Sequence, residues 1–167
     1  MFSGSNRMRG MVLLLVCAAL SSPPAAQAQD KVGGHFGLVF PLVTRTGGET
    51  TTIGNRFSIG FPIGITLKKT DTIAFDLELV PSIQRTPYAV GLTVHPGILY
   101  ALPNDLTAGL RLAFDVNQAS WGFTPLLNRK LADLEGGCTL FGELVLPIRF
   151  QDKNTSIGLG VHVGIGF

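Results

Sequence analysis

The chain ends in the stretch Ile157-Gly158-Leu159-Gly160-Val161-His162-Val163-Gly164-Ile165-Gly166-Phe167. Large apolar residues alternate with Gly or His along it, which is the period of two that places successive side chains on opposite faces of a β-strand. The period and the glycines both exclude a helix. Its length matches the roughly 9 to 11 residues that a tilted strand needs to cross a membrane. The stretch therefore predicts a membrane-spanning strand.

Seven segments upstream repeat this alternation. In the first of them, Phe36, Leu38, Phe40 and Leu42 share one face, and the weakest runs from Trp121 to Asn128. In chain order the segments are 35–42, 57–67, 73–80, 90–98, 109–116, 121–128 and 139–150. Together with the terminal stretch they predict eight strands, an even number as in single-chain bacterial outer-membrane barrels.

Polar connections separate the predicted strands. Lys68–Asp71 and Leu102–Asp105 indicate tight turns at one end of the strands. Thr44–Asn55 is predicted to be the longest loop, at the opposite end. Leu131–Gly137 is predicted to be a longer connection beside the tight turns, and the sequence leaves open whether it holds a helical turn.

Six prolines lie inside the predicted strands, where each removes a backbone donor. They are Pro41, Pro62, Pro81, Pro96, Pro125 and Pro147. Pro41, Pro81 and Pro147 are predicted to lie at strand ends, where pairing has finished. Pro62, Pro96 and Pro125 are predicted to need bulges or local breaks.

The first 28 residues have the features of a secretory signal peptide. Arg7 and Arg9 precede the apolar stretch Met11–Leu20, and Ala26-Gln27-Ala28 is a small-residue cleavage site. A lipoprotein signal would use Cys17 as the acylated residue, but the bulky Val16 before it fits such a signal poorly. The prediction is a signal peptide at residues 1–28 and one domain at 29–167.

The composition of residues 29–167 is unusual for a soluble domain. Without Arg7 and Arg9, the 13 Lys and Arg fall to 11, equal to the 11 Asp and Glu, so no net charge favours nucleic-acid binding. These 22 charges are about 16% of the domain, below the roughly 25% of soluble proteins. No apolar run is long enough for a spanning helix. A closed barrel is the other way to pair every backbone group in lipid. Cys138 alone remains, so no intrachain disulfide is possible.

Alternation alone does not distinguish a membrane barrel from a soluble lipocalin-like barrel with its faces reversed. One face is mostly Gly, Ala, Thr and Ser, which suits a narrow lumen better than a soluble surface. The other face is almost entirely Leu, Ile, Val and Phe, as lipid requires. The predicted fold is therefore all-β, an eight-stranded antiparallel transmembrane up-and-down β-barrel.

This assignment turns nine polar or charged residues into the lumen. They are His35, Asp76, Glu78, His95, Arg111, Asp115, Glu143, Arg149 and His162. A buried isolated ion costs several kcal/mol, so we expect a ladder of ion pairs with Arg111 near mid-height. Trp121 and Tyr100 are predicted to be interfacial anchors, and Cys138 an ordinary turn residue.

The signal peptide, the eight strands and the ending Leu159-x-Val161-x-Val163-x-Ile165-x-Phe167 resemble the outer-membrane protein A/X-like superfamily of small bacterial barrels. The resemblance covers the whole of residues 29–167. It implies an outer-membrane location, cleavage after Ala28, passage by periplasmic chaperones and contact with outer-membrane lipid as a monomer. It also implies that the barrel-assembly machinery recognises Phe167 and its alternate neighbours.

The sequence leaves three functions open. A structural or surface-interaction barrel with a largely plugged lumen is favoured, since eight-stranded interiors are usually filled. A narrow channel for small solutes is the first alternative. A lipid A-modifying enzyme is the second, although no serine neighbours His162 at a useful spacing. His35 and His162 are predicted to fill the lumen, and a metal-binding or pH-sensing pair stays the alternative. No catalytic residue, metal or cofactor is predicted.

Overall fold

The computed structural model describes residues 32–85 and 87–167. The predicted signal peptide, residues 1–28, lies outside the described residues. Within them, no helix has the length and hydropathy to cross a membrane. Almost all regular structure in this part of the chain is β-strand, as the period-two alternation predicts.

The strands form one antiparallel sheet. Their bounds are β1 (Val32–Thr46), β2 (Glu49–Thr52), β3 (Ser58–Gly60), β4 (Ile63–Lys68), β5 (Ile73–Gln84), β6 (Ala89–Leu102), β7 (Leu106–Asp115), β8 (Ser120–Asp133), β9 (Thr139–Val145), β10 (Ile148–Gln151) and β11 (Thr155–Gly166). β11 pairs with β1 from His35 to Thr46, so the sheet forms a ring over eight strand positions.

The described residues contain eleven strands, not exactly the eight predicted, and these strands occupy eight positions around the ring. β3 and β4 keep one register against both neighbours and form a single position, broken at Phe61 and Pro62. β9 and β10 likewise form one position, broken at Leu146 and Pro147. β2 extends the ring by pairing with β1. The breaks arise because proline lacks the N–H that a ladder needs.

Two further prolines face these breaks. The carbonyl of Pro81 accepts from Phe61 N at 2.8 Å, and that of Pro125 accepts from Leu146 N at 2.9 Å. Since the N–H and C=O of a paired strand residue point to the same neighbour, the donor that each proline lacks faces an interrupted strand. Two prolines thus share each break.

The prolines were predicted either to lie where strand pairing has finished or to interrupt it locally, and the structure decides between these outcomes. β1 and β5 stay paired beyond Pro41 and Pro81, and pairing resumes in β10 after Pro147. The prediction that pairing has finished at these three prolines is therefore wrong. β1 adjusts by a register shift between Pro41 and Val43. At Pro96, the pairing of β6 with β7 is interrupted between Val94 and Gly97. This interruption is the local break that was predicted at Pro96.

The ring has two distinct ends. The terminal end carries Val32, Phe167, two tight turns and the connection that contains a 3₁₀ helix at Glu135–Gly137. The opposite end, called the loop end, was predicted to carry a loop at Thr44–Asn55. That prediction is wrong, because β1 and β2 form a hairpin there. Gly47 and Gly48 close it with φ of 58° and 91°, a left-handed pair that glycine adopts without strain.

The distribution of polar and apolar side chains is inverted relative to a soluble domain. Among the described residues, nine buried side chains are polar or charged and five are hydrophobic. Large apolar side chains instead cover the outside, with Ile65 56%, Leu77 39% and Leu144 48% exposed at mid-strand. The chain therefore folds with an apolar exterior and a polar core.

Candidate functional site

Arg111 lies at the centre of the polar core. It projects inward from β7 and is only 3% exposed. Its Nε donates to Asp76 Oδ2 at 2.8 Å and its Nη1 to Glu143 Oε1 at 2.8 Å. Glu78 Oε2 lies 3.4 Å from the same Nη1. Asp76 and Glu78 reach one cation because residues two apart on a strand share a face.

Each histidine of the core contacts a carboxylate. His35 Nε2 lies 3.0 Å from Glu78 Oε2, and His95 Nδ1 lies 3.1 Å from Glu78 Oε1. His162 Nδ1 lies 3.3 Å from Glu143 Oε1. The sheet register brings the last two pairs together, since Glu78 faces His95 and Glu143 faces His162 on neighbouring strands. These side-chain hydrogen bonds include none between a histidine and a serine or threonine hydroxyl among the described residues.

Arg149 is held differently from Arg111. Its Nη1 donates to Thr124 Oγ1 at 3.1 Å and to the carbonyls of Ile148 and Phe123 at 3.0 and 3.3 Å. Its Nη2 lies 3.0 Å from His95 Nε2. A guanidinium can only donate, so His95 Nε2 accepts and its Nδ1–H donates to Glu78. Within the described residues, no carboxylate oxygen lies within 4.0 Å of Arg149.

These contacts join eight of the nine residues predicted for the lumen. Asp115 lies apart towards the loop end, where it accepts from Thr93 Oγ1 at 2.7 Å and from Gln118. The prediction did not include Thr66, Asn128 or Thr124, which bond to Asp76, Glu143 and Arg149. Thr66 was recoverable, because it lies on the small-residue face of its segment.

Arg111 and the three carboxylates around it, those of Asp76, Glu78 and Glu143, form a group that we call the Arg111 layer. This layer separates two cavities in the ring. A cavity of about 320 Å³ opens at the terminal end beside His35. A second of about 200 Å³ lies on the side of the loop end, beside His95 and His162. Arg111 and Glu143 line both. The two cavities are therefore separated by a single layer of paired charges.

Glycines leave the space that the network side chains occupy. A Cβ on Gly97 would lie 2.6 Å from Arg111 Cγ, and one on Gly37 would lie 2.6 Å from His162 Nε2. A Cβ on Gly64 would overlap the His35 ring. Small and large residues alternate across the polar core in this way, an arrangement also found in the interiors of narrow barrels.

The substitution Gly64→Ala is expected to displace His35 from Glu78 and to destabilise the fold by about 1–3 kcal/mol, the usual cost of overpacking. Urea unfolding in detergent micelles measures the effect. Gly54→Ala is the matched control, since the nearest atom to a Cβ there is 3.7 Å away. Equal midpoints for the two variants would contradict the packing argument.

His162 is more buried than His35 but less connected. It is 1% exposed, and its Nε2 has no hydrogen-bond partner among the described residues. Glu143 keeps Arg111 and Asn128 when His162 is removed. We therefore expect His162→Ala to leave the chain folded, with unchanged heat-modifiable migration on a gel. Loss of the folded band would mean that this histidine organises the network.

The rings of His35 and His162 lie close together. Their ring centroids are 6.1 Å apart, and Phe141 packs edge-on against both. No group of three or more His, Cys, Asp or Glu side chains in the described part of the chain has the spacing of a metal site. The pair instead contacts Glu78 and Glu143.

The terminal strand presents the predicted assembly residues on the outer face. Leu159, Val161, Val163 and Ile165 pair with outward residues of β1. Phe167 exchanges two backbone hydrogen bonds with Gly34, at 2.8 and 2.9 Å, and its ring lies beside that glycine and Phe36. Phe167 thus lies at the seam where the last strand meets the first.

Aromatic residues mark both ends of the outer face. Trp121 stacks on Phe150 towards the loop end, with ring centroids 4.8 Å apart. Tyr100 is exposed towards the terminal end, where it pairs with Ile73, the first residue of β5. Cys138 follows the 3₁₀ helix as a free, half-buried thiol.

No protein-family model and no curated protein matches the chain. A solved structure described as "De novo design of transmembrane beta-barrels" is similar over 79% of this chain and 94% of that chain, with 11% identity and a TM-score of 0.40.

Proposed function

We propose that residues 29–167 form a closed, eight-stranded, up-and-down β-barrel in the bacterial outer membrane, of the outer-membrane protein A/X-like kind. Its role is structural or surface-interacting, and its lumen is largely plugged. The observation that carries this proposal is the inverted distribution of side chains. An apolar exterior is stable in lipid and unstable in water, where burial of that surface drives folding.

The plug is the Arg111 layer. Both cavities end at Arg111 and Glu143, and three carboxylates hold the guanidinium in place. A solute that crosses the lumen must separate these charges, which is costly in a buried site. This favours the structural role over the narrow channel.

The proposed route to the membrane follows from the two ends of the chain. The signal peptide at residues 1–28 directs export and is cleaved after Ala28. Periplasmic chaperones then carry the chain to the barrel-assembly machinery, which recognises Phe167 and the outward residues before it. The terminal end faces the periplasm, and the monomer contacts outer-membrane lipid with its apolar face.

Two measurements test the proposed function: gel migration of the purified chain before and after heating, and its conductance in planar bilayers. The purified chain is expected to migrate faster on a gel before heating than after, as a folded barrel in detergent does. In planar bilayers it is expected to give no single-channel steps. A detergent-free soluble monomer would overturn the barrel, steady conductance would favour the channel, and altered lipid A mass spectra on expression would favour the enzyme.

A charge placed on the outer face tests the membrane location. Leu77 lies midway along β5 and points outward, so we expect Leu77→Arg to destabilise the chain in lipid vesicles by about 2–4 kcal/mol. Asp152→Arg is the control, because Asp152 is exposed in a connection at the loop end. Equal stabilities in urea titrations of the two variants would count against lipid contact at Leu77.

A further inference from the structure

The cavity between the Arg111 layer and the loop end is a small chamber whose wall surface is mostly apolar, although Glu78, Glu143 and His162 also line it. Its volume is about 200 Å³, below the roughly 300–1,000 Å³ of drug-sized ligand sites. Val39, Val80 and Val145 contribute aliphatic wall, and Arg149 and His95 contribute polar groups. The chamber therefore suits a small molecule with an apolar body and one polar end.

This chamber connects to the loop end. It shares Pro41 and Ser58 with a wider cavity of about 530 Å³ at the mouth of the ring. Hydroxyl and amide side chains line the mouth, among them Thr44, Thr46, Gln84, Gln151 and Asn154. Its two charged lining residues, Glu49 and Arg56, carry opposite charges. The shared residues make this mouth the nearest approach to the chamber from the loop end.

Arg149 is the arginine of the charge network that has no carboxylate as a direct hydrogen-bond partner. A guanidinium has five N–H donors, and the four contacts of Arg149 leave its Nε without an acceptor among the described residues. All four acceptors are uncharged. Asp115 attracts Arg149 only from beyond 4.0 Å. A cation against apolar walls with no carboxylate in direct contact is costly, so an anion at Arg149 stabilises the site.

The other charges that face Arg149 are already engaged. Glu78 is held by Arg111, His35 and His95, and Glu143 by Arg111 and His162. Asp115 lies beyond 4.0 Å from Arg149 and accepts from Thr93 and Gln118. No carboxylate of the described network is thus left to pair with Arg149 directly.

We infer that the chamber binds a small organic carboxylate from the side of the loop end. The carboxylate accepts from the Nε–H and Nη2 edge of Arg149, which matches the fork of two oxygens, and the apolar body lies against Val39, Val80 and Val145. The inference rests on the proposed function, because the chamber exists only inside a closed and plugged ring. It gives the surface-interaction role a ligand class.

The test follows the Nε–H resonance of Arg149 by nitrogen-15 NMR in the folded chain. Hexanoate is expected to shift the resonance saturably, and the neutral hexanamide and the cation hexylammonium to bind at least tenfold more weakly. Equal effects of hexanoate and hexanamide would show partition into an apolar space only. Stronger binding of hexylammonium would show that the carboxylates dominate. Either result would overturn the inference.

Two variants and one control assign the binding to the chamber, with equilibrium dialysis of labelled hexanoate as the readout. Arg149→Gln is expected to weaken binding at least tenfold. Val39→Phe is expected to do the same by filling the chamber while Arg149 stays in place. Arg129→Gln is the control, since Arg129 is exposed on the outer face. Unchanged binding in both chamber variants would overturn the inference.

The outcomes also separate this inference from the proposed function. A chain without a heat-modifiable form fails as a barrel, and the ligand site fails with it. A chain that is heat-modifiable and non-conducting but binds the three probes equally keeps its proposed function and loses only the carboxylate site.

Discussion

Replacing Arg111 by methionine is expected to lower the free energy of unfolding by about 3–5 kcal/mol, the usual cost of removing one partner from a buried ion pair. The variant leaves Asp76, Glu78 and Glu143 facing one another without their shared cation. Methionine keeps a similar length and apolar stem, so the loss reports charge rather than volume. Urea unfolding in micelles measures it, with the single tryptophan, Trp121, as fluorescent reporter.

Two comparisons make this result specific. Arg129→Met removes an exposed arginine from the outer face and is expected to change stability by less than about 0.5 kcal/mol. Adding Glu78→Gln and Glu143→Gln to Arg111→Met is expected to recover part of the loss, because fewer unpaired charges stay buried. A loss below about 1 kcal/mol in the single variant would mean that water or another cation replaces Arg111.

Period-two alternation gives the face of the strand on which each predicted polar residue lies. Asp76 and Glu78 lie two residues apart between outward apolar residues, so their common direction follows from the strand itself. The same reasoning turned Arg111 and Glu143 towards them. The partner of each group is not in the alternation, because partners depend on the register between strands, which a single strand does not specify.

The strand breaks at the prolines and the β1–β2 hairpin are features that the alternation of residues within one strand does not predict. Pro81 disrupts nothing in its own strand, since its missing donor faces the gap at Pro62. That outcome depends on which neighbour a residue's N–H points to. The β1–β2 hairpin was missed because its paired residues, 43–46 and 49–52, are rich in threonine and lack apolar alternation, although Gly47-Gly48 marks the turn. Arg149 was placed in the lumen, but its lack of a carboxylate partner appears only in the assembled ring.

Deleting residues 155–167 is expected to abolish the folded state completely. β11 pairs with β1 on one side and with β9 and β10 on the other, so its loss opens the ring and creates two edges. In lipid, each unpaired backbone group at such an edge costs several kcal/mol. The deletion also removes His162 from Glu143. We expect no heat-modifiable band after refolding in micelles, and no protease-resistant form in cells.

Phe167→Ala separates the structural role of the terminal strand from its proposed role as an assembly signal. The substitution keeps the backbone pairing of residue 167 with Gly34 and removes only a ring that is 64% exposed and lies beside Gly34 and Phe36. We therefore expect normal refolding in micelles and reduced insertion in cells, measured as the heat-modifiable fraction in isolated outer membranes. Equal insertion of the variant and the parent chain would remove the assembly role from Phe167. Failure of the variant to refold in micelles would instead show that the seam between β1 and β11 depends on this ring.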